Sequence, residues 1–273
     1  MGQSVVQVDA FTSAPFRGNP AAVCVLQATR SDDWMRAVAR EMNLSETAFL
    51  ERRPDGWTLR WFTPQVEVDL CGHATLASAH VLWEDGLAER AERLRFHTRS
   101  GWLEARREPD GIVLDFPAVR AEEAAVPRPL LAALGVAAPV ATARNRMDAL
   151  VQLGTAAEVR ALAPDFGALA AVDARGVIVT APADDGEHDF ISRFFAPAVG
   201  VNEDPVTGSA HCCLGPWWAE RLGRSELRAY QASARGGALS VRVRGERVEL
   251  VGEAVTVMRG ELVGEAGSDF TPG

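Results

Sequence analysis

The sequence predicts an α+β protein built from two similar halves. Three observations carry that prediction. Short runs of alternating apolar and polar residues read as strands, punctuated by few helical stretches. A run of residues is echoed about 130 positions later, the spacing of duplicated domains rather than of a short-repeat solenoid. Each echoed run then opens a glycine-led helix. With 47% hydrophobic and 24% charged residues the composition is globular, and 273 residues suit two cores.

In the first half, strands fall near 4–11 ("SVVQVDAF") and 20–26. A helix follows at about 31–41, capped by Ser31-Asp32-Asp33. Strands near 47–52 and 57–63 lead into a helix at about 72–85, and strands near 93–98, 102–107 and 111–116 close the half. In the second half, strands near 149–153 and 176–181 flank a helix near 155–162. A strand near 189–195 precedes a helix at about 208–222, and several strands finish the chain. "FPAVRAEEAAVPRP" (116–129) marks the boundary, giving domains 1–118 and 119–259, with the tail 260–273 joined to the first.

The echo is residue by residue. "LRWFTPQVEVDLCGHA" (59–74) parallels "SRFFAPAVGVNEDPVTGSA" (192–210). Arg60 matches Arg193, Phe62 matches Phe195, Pro64 matches Pro197 and Gly72 matches Gly208. A helix start leaves backbone N–H groups unpaired at the positive end of its dipole, a ready anion site. Two such starts facing one cleft would take a small acidic or zwitterionic ligand.

Several classes of function are excluded. The net charge of -9 and the lack of a basic run argue against nucleic acid. No apolar run approaches the roughly 20 residues that cross a bilayer. The start "MGQSVVQVDAF" has no secretory pattern, and Val6 breaks the myristoylation pattern. Cys24, Cys71, Cys212 and Cys213 show no paired spacing, so free thiols in the cytoplasm are expected. The chain contains no lysine, which removes pyridoxal-phosphate Schiff-base and Walker-A chemistry. GxGxxG, HExxH and GxSxG are also absent. What remains is acid/base chemistry by side chains without a cofactor, or binding alone.

"FTSAPFRGNPAAVCVL", "MNLSETAFL", "RWFTPQVEVDLCGHAT" and "EDPVTGSA" together resemble the PhzF-like family, named for the phenazine-biosynthesis isomerase, of the diaminopimelate epimerase and proline racemase fold. The likeness spans essentially the whole chain. It implies two similar domains, each a curved sheet around a central helix, with the active site in the cleft between them, and a homodimer, also the commonest symmetric assembly. It implies that Glu46 moves a proton between carbons of the substrate without a cofactor, that His73, Asp204 and Ser209 position that substrate, and that Asn19 lines the cleft. The epimerase and racemase branch uses a cysteine at each helix start. Here Cys71 stands at the first and Thr207 at the second, against a two-cysteine mechanism.

Each candidate also has a plain reading. Glu46 fits a capping box begun by Asn43. As an acid/base it would work best in an apolar surround, and Ala48-Phe49-Leu50 follow it. His73 and His80 share a helix face, but neither Cys71 nor His211-Cys212-Cys213 completes a zinc spacing with them, so no metal is expected. His80 reads as structural, and Cys212, Cys213, Trp217 and Trp218 as packing. Asp204 fits an N-terminal cap. Ser209 with His211 lacks the setting of a hydrolase pair. Cys71 gains acidity at a helix start and is a secondary acid/base candidate.

The reading is a cofactor-independent isomerase acting on a small carboxylic acid that carries an amine. Glu46 is the catalytic residue. Asn19, Gly72, His73, Asp204, Gly208 and Ser209 bind substrate. The alternatives are an amino-acid epimerase, racemase or dehydratase using Cys71, and a non-catalytic binding module.

Overall fold

Valine, alanine and aromatic runs with buried alternate residues form the strands, and two almost wholly apolar helices fill the sheets they make. The computed structural model describes residues 2–263. In chain order the first elements are β1 (Gln3–Ala10), β2 (Asn19–Leu26), α1 (Asp32–Met42), β3 (Glu46–Arg53), β4 (Gly56–Phe62), β5 (Glu67–Val68), α2 (Gly72–Glu84), β6 (Leu94–Thr98), β7 (Gly101–Glu108) and β8 (Gly111–Pro117). There follow β9 (Glu122–Glu123), α3 (Arg128–Leu134), β10 (Ala141–Arg144), β11 (Asp148–Gln152), α4 (Ala156–Ala161), α5 (Phe166–Ala170), β12 (Gly176–Pro182), β13 (Phe190–Phe195), α6 (Gly208–Leu222), β14 (Glu226–Gln231), β15 (Gly237–Arg244), β16 (Arg247–Gly252) and β17 (Ala254–Leu262). Contacts group the chain into two units, Met1–Asp115 with Val251–Gly273, and Phe116–Leu250.

In the first unit β1–β2 is antiparallel, β2–β3 parallel, β3–β4 antiparallel, β4–β6 parallel and β6–β7 antiparallel. The second unit has the same series. β10–β11 is antiparallel, β11–β12 parallel, β12–β13 antiparallel, β13–β14 parallel and β14–β15 antiparallel. Helices fill matching crossovers, α2 between β4 and β6, and α6 between β13 and β14.

α2 is buried from His73 to Trp83, packed against β1, β2, β3 and β17. Its buried hydroxyls turn back onto the helix, Thr75 donating to Cys71 O at 2.5 Å and Ser78 to Ala74 O at 2.7 Å. α6 packs on β14 and β15 and is likewise buried from Ala210 to Trp218, taking in Cys212, Cys213, Trp217 and Trp218. Gly215 permits the close approach, since a Cβ there would sit 2.8 Å from Val241 Cγ1.

Three readings of the sequence need correction. Asn43 begins no helix: it ends α1 in the left-handed region at φ 49°, and Glu46 begins β3. Asparagine tolerates that backbone because its short amide bonds locally. The units do divide at the start of the 116–129 stretch, between Asp115 and Phe116, but the stretch is not bare connection: it carries β9 and the start of α3, whose Leu130 is fully buried. Proline is accepted in a first helical turn, where an N–H has no partner to lose. The returning segment of the first unit begins at Val251, ahead of 260. β17 supplies the antiparallel partner of β1 from Ala10↔Ala254 to Gln3↔Leu262. Residues 264–273 of that tail lie outside the described residues.

Candidate active site

In the first unit the beginnings of β2, β3 and α2 bring three polar side chains together. Asn19 opens β2, Glu46 opens β3, and His73 is the second residue of α2. Gly18 makes the entry to Asn19 possible. Its φ is +62°, and a Cβ would stand 2.1 Å from Ala10 O.

Asn19 is wholly buried, and its Nδ2 lies 3.1 Å from His73 Nδ1. An amide nitrogen donates, so Nδ1 accepts and the imidazole proton sits on Nε2. Cys71 Sγ lies 3.5 Å from the same Nδ1. Burial pushes the His73 pKa down to about 3, so the ring is neutral at physiological pH. Its Nε2 stands 3.3 Å from Glu46 Oε2. Buried Nε2 has no hydrogen-bond partner among the described residues. The Glu46 side chain keeps 18% of its surface exposed and so can meet a ligand.

Glu46, Cys71 and His73 also cluster tightly enough to suggest a cation site, with ligand atoms within 4.8 Å of one another. The ring divides them. Cys71 is closer to Nδ1 and Glu46 to Nε2, and these three donors alone fall short of the four that close a structural zinc site.

Both helix starts are approached by arginine-clamped loops. Arg60 in β4 grips Glu67 bidentately at 2.7 Å and 2.7 Å and reaches Asp32 at 2.8 Å. The Arg60 guanidinium holds the Glu67 carboxyl below its usual range. Arg193 in β13 grips Glu203 at 2.7 and 2.9 Å and also donates to the carbonyls of Val159 and Leu162. Cys71 and Thr207 occupy the two N-cap positions, and neither side chain caps its helix, so Gly72 and Gly208 open helices whose first N–H groups receive no side-chain cap.

In the second unit Thr207 Oγ1 donates to Asp204 Oδ2. Gln231, fully buried at the end of β14, accepts from Thr207 N at 2.9 Å and donates to Asp204 O at 2.7 Å. Ser209 accepts from Arg175 Nη2 at 3.1 Å, and Arg175 is held by buried Asp148. His211 turns away from Ser209 and donates from Nδ1 to Thr207 O at 2.8 Å; burial pushes its pKa down to about 4. His80 packs at the other end of α2, with Nε2 3.1 Å from Thr256 Oγ1 and 3.2 Å from Glu84 Oε2.

The structure thus joins Asn19, Glu46, Cys71 and His73 in one unit, and groups Asp204 with Thr207 and Ser209 with Arg175 in the other. Gln231, Asp148 and Arg175 went unread in the sequence. "DARGVIV" and "AYQAS" carry no motif, and only the pairing of strands shows where those residues stand.

The family model described as phenazine biosynthesis-like protein matches residues 8–260. The chain belongs to this family. A relative named an uncharacterized isomerase in Halalkalibacterium halodurans is 53% identical over 264 residues, 96% of this chain and 99% of that protein. A PhzF-family crystal structure from Enterococcus faecalis superposes with a TM-score of 0.91 at 42% identity, covering 96% of this chain and 100% of that one. A hydroxyproline epimerase from Agrobacterium vitis, with bound trans-4-hydroxy-L-proline, shares the fold alone: TM-score 0.61 at 10% identity, covering 95% of this chain and 92% of that one. The chain is a PhzF-like isomerase of the α+β class that the epimerases and racemases share, and an enzyme reading replaces the binding-module alternative. No helix among the described residues is long and apolar enough to cross a membrane.

Proposed function

We propose that the protein moves a proton between two carbons of a small amino carboxylic acid, with Glu46 as the acid/base and no cofactor. One observation carries the reading: the Glu46 carboxylate lies 3.3 Å from the Nε2 of a buried, neutral imidazole whose tautomer Asn19 fixes. A carboxylate can take a proton from carbon and return it elsewhere. The adjacent N–H of His73, without a hydrogen-bond partner among the described residues, would donate to a substrate oxygen or nitrogen and stabilise the charge that develops. Asp204, Ser209 and the helix starts at Gly72 and Gly208 bind the substrate, its carboxylate meeting backbone N–H groups. The missing lysine supports chemistry without a Schiff base. The four free thiols support a cytoplasmic setting, and we expect a homodimer.

A second reading has a specific contact behind it. Cys71 Sγ at 3.5 Å from His73 Nδ1 would let the thiol share in proton transfer, as in an epimerase, racemase or dehydratase.

Deuterium wash-in from D2O, followed by NMR over a panel of amino acids and cyclic dienyl amino acids, tests both. Exchange at carbon that Glu46→Gln abolishes supports the first reading. Exchange that survives Glu46→Gln and dies with Cys71→Ser transfers the assignment to the second.

A further inference from the structure

The three element starts that build the acid/base group of the first unit have counterparts in the second. There, Asp148 opens β11, Arg175 immediately precedes β12, and Ser209 is the second residue of α6. These side chains also meet. Arg175 Nε donates to Asp148 Oδ1 at 2.9 Å and Nη2 to Asp148 Oδ2 at 2.6 Å, while Nη2 also donates to Ser209 Oγ at 3.1 Å. Asp148 is 1% exposed, and Asn145 Oδ1 accepts from its backbone N–H at 2.8 Å. The guanidinium lies over the Phe194 ring, 5.6 Å from its centroid. Gly176 leaves room for that ring, since a Cβ there would come within 2.3 Å of Phe194 Cζ.

A guanidinium has two edges that match a carboxylate. Asp148 fills the Nε/Nη2 edge. Nη1 makes no hydrogen bond among the described residues, and the arginine side chain is 34% exposed. Ser209, accepting from Nη2, keeps its own hydroxyl proton to donate. A buried carboxylate and the serine oxygen thus take Nε and both Nη2 protons and hold the arginine rigidly, with Nη1 and the serine hydroxyl proton unspent.

We propose that Arg175 is a specificity residue: its Nη1, with the Ser209 hydroxyl, grips a carboxylate of the substrate, and Asp148 acts as its positioning residue. This rests on the reading above that Ser209 binds substrate, and it selects acids over their amides. Arginine is suited to the role because its charge and fork do not change with pH.

The test is equilibrium titration by calorimetry with benzoate and its uncharged analogue benzamide. Arg175→Lys keeps a cation opposite Asp148 but loses the fork, and Ser209→Ala removes the hydroxyl. We expect wild type to bind benzoate and not benzamide. Each variant should weaken benzoate about tenfold, the loss of one charge-assisted hydrogen bond. The double variant should be weaker by less than the product of the two effects, because one group orients the other. Equal binding of acid and amide by wild type, no benzoate binding by wild type, or unchanged affinity in Arg175→Lys overturns the proposal. If Arg175→Lys does not fold, Ser209→Ala decides: retained preference for benzoate at full affinity overturns it. The titration involves no proton transfer to carbon, so survival of deuterium wash-in in Glu46→Gln would defeat the functional reading and leave this result standing.

Discussion

The starts of α2 and α6 sit at the same place in the same strand series yet hold different chemistry. At α2 a carboxylate and a neutral imidazole face each other, oriented by an amide. At α6 a guanidinium held by a buried carboxylate donates to a serine hydroxyl. The loop clamps, Arg60–Glu67 and Arg193–Glu203, are alike in both. The frame is therefore common and the function is set by a few side chains at element starts. The first unit places a carboxylate beside a neutral imidazole, proposed above to pass a proton, and the second a guanidinium beside a hydroxyl, proposed above to grip the substrate.

The largest expected difference is in rate. Glu46→Gln should slow carbon-bound proton exchange about a thousandfold, and Asp204→Asn about tenfold, measured by NMR wash-in. Equal losses would break the division of labour.

The clamps should differ in stability. The Arg193 side chain is 11% exposed and holds two backbone carbonyls as well as Glu203, whereas Arg60 is 28% exposed. Arg193→Met should cost about 3 kcal/mol in urea unfolding and Arg60→Met about 1 kcal/mol. The reverse order would show that the first clamp matters more.

Each unit also buries one neutral histidine beside its helix start. The folded pKa values of His73 and His211 lie near 3 and 4, below the ordinary 6.5, so the unfolded chain binds protons that the folded chain refuses. Their contribution is complete above pH 6.5 and is lost as pH falls from there towards those values. Urea unfolding across that window should lose about 1.4 kcal/mol per pH unit for each histidine. His73→Asn and His211→Asn should each remove one proton from the slope, and an unchanged slope in either would show that its imidazole titrates normally.

The smallest effect belongs to the N-caps. Cys71→Ser should change exchange less than about threefold, because Asn19 already fixes the imidazole. Complete loss would move proton transfer onto the thiol.

The sequence made the frame readable where local chemistry is unambiguous. Ser31-Asp32-Asp33 announces α1, and the glycines at 72 and 208 announce the central helices. Alternation placed most strands within a residue or two. It was silent where tertiary contact decides. Asn43 looks like an N-cap because the left-handed C-cap uses the same residue type. α3 hides among prolines that also suit a linker. In the candidate site, Glu46 and His73 stood in motifs, but Arg175 and Asp148 lie 27 residues apart and meet only through the parallel pairing of β11 and β12. No local pattern encodes that contact.

The long pairing of β1 with β17 has a consequence for synthesis. The second unit is one continuous segment, but the first is completed only by residues after 250. A ribosome releases the chain from its N-terminus, so β1 emerges before the whole second unit and waits for a partner made after it. The half translated first is the half finished second. During that interval one side of β1 is an open edge, a site for pairing with another nascent chain.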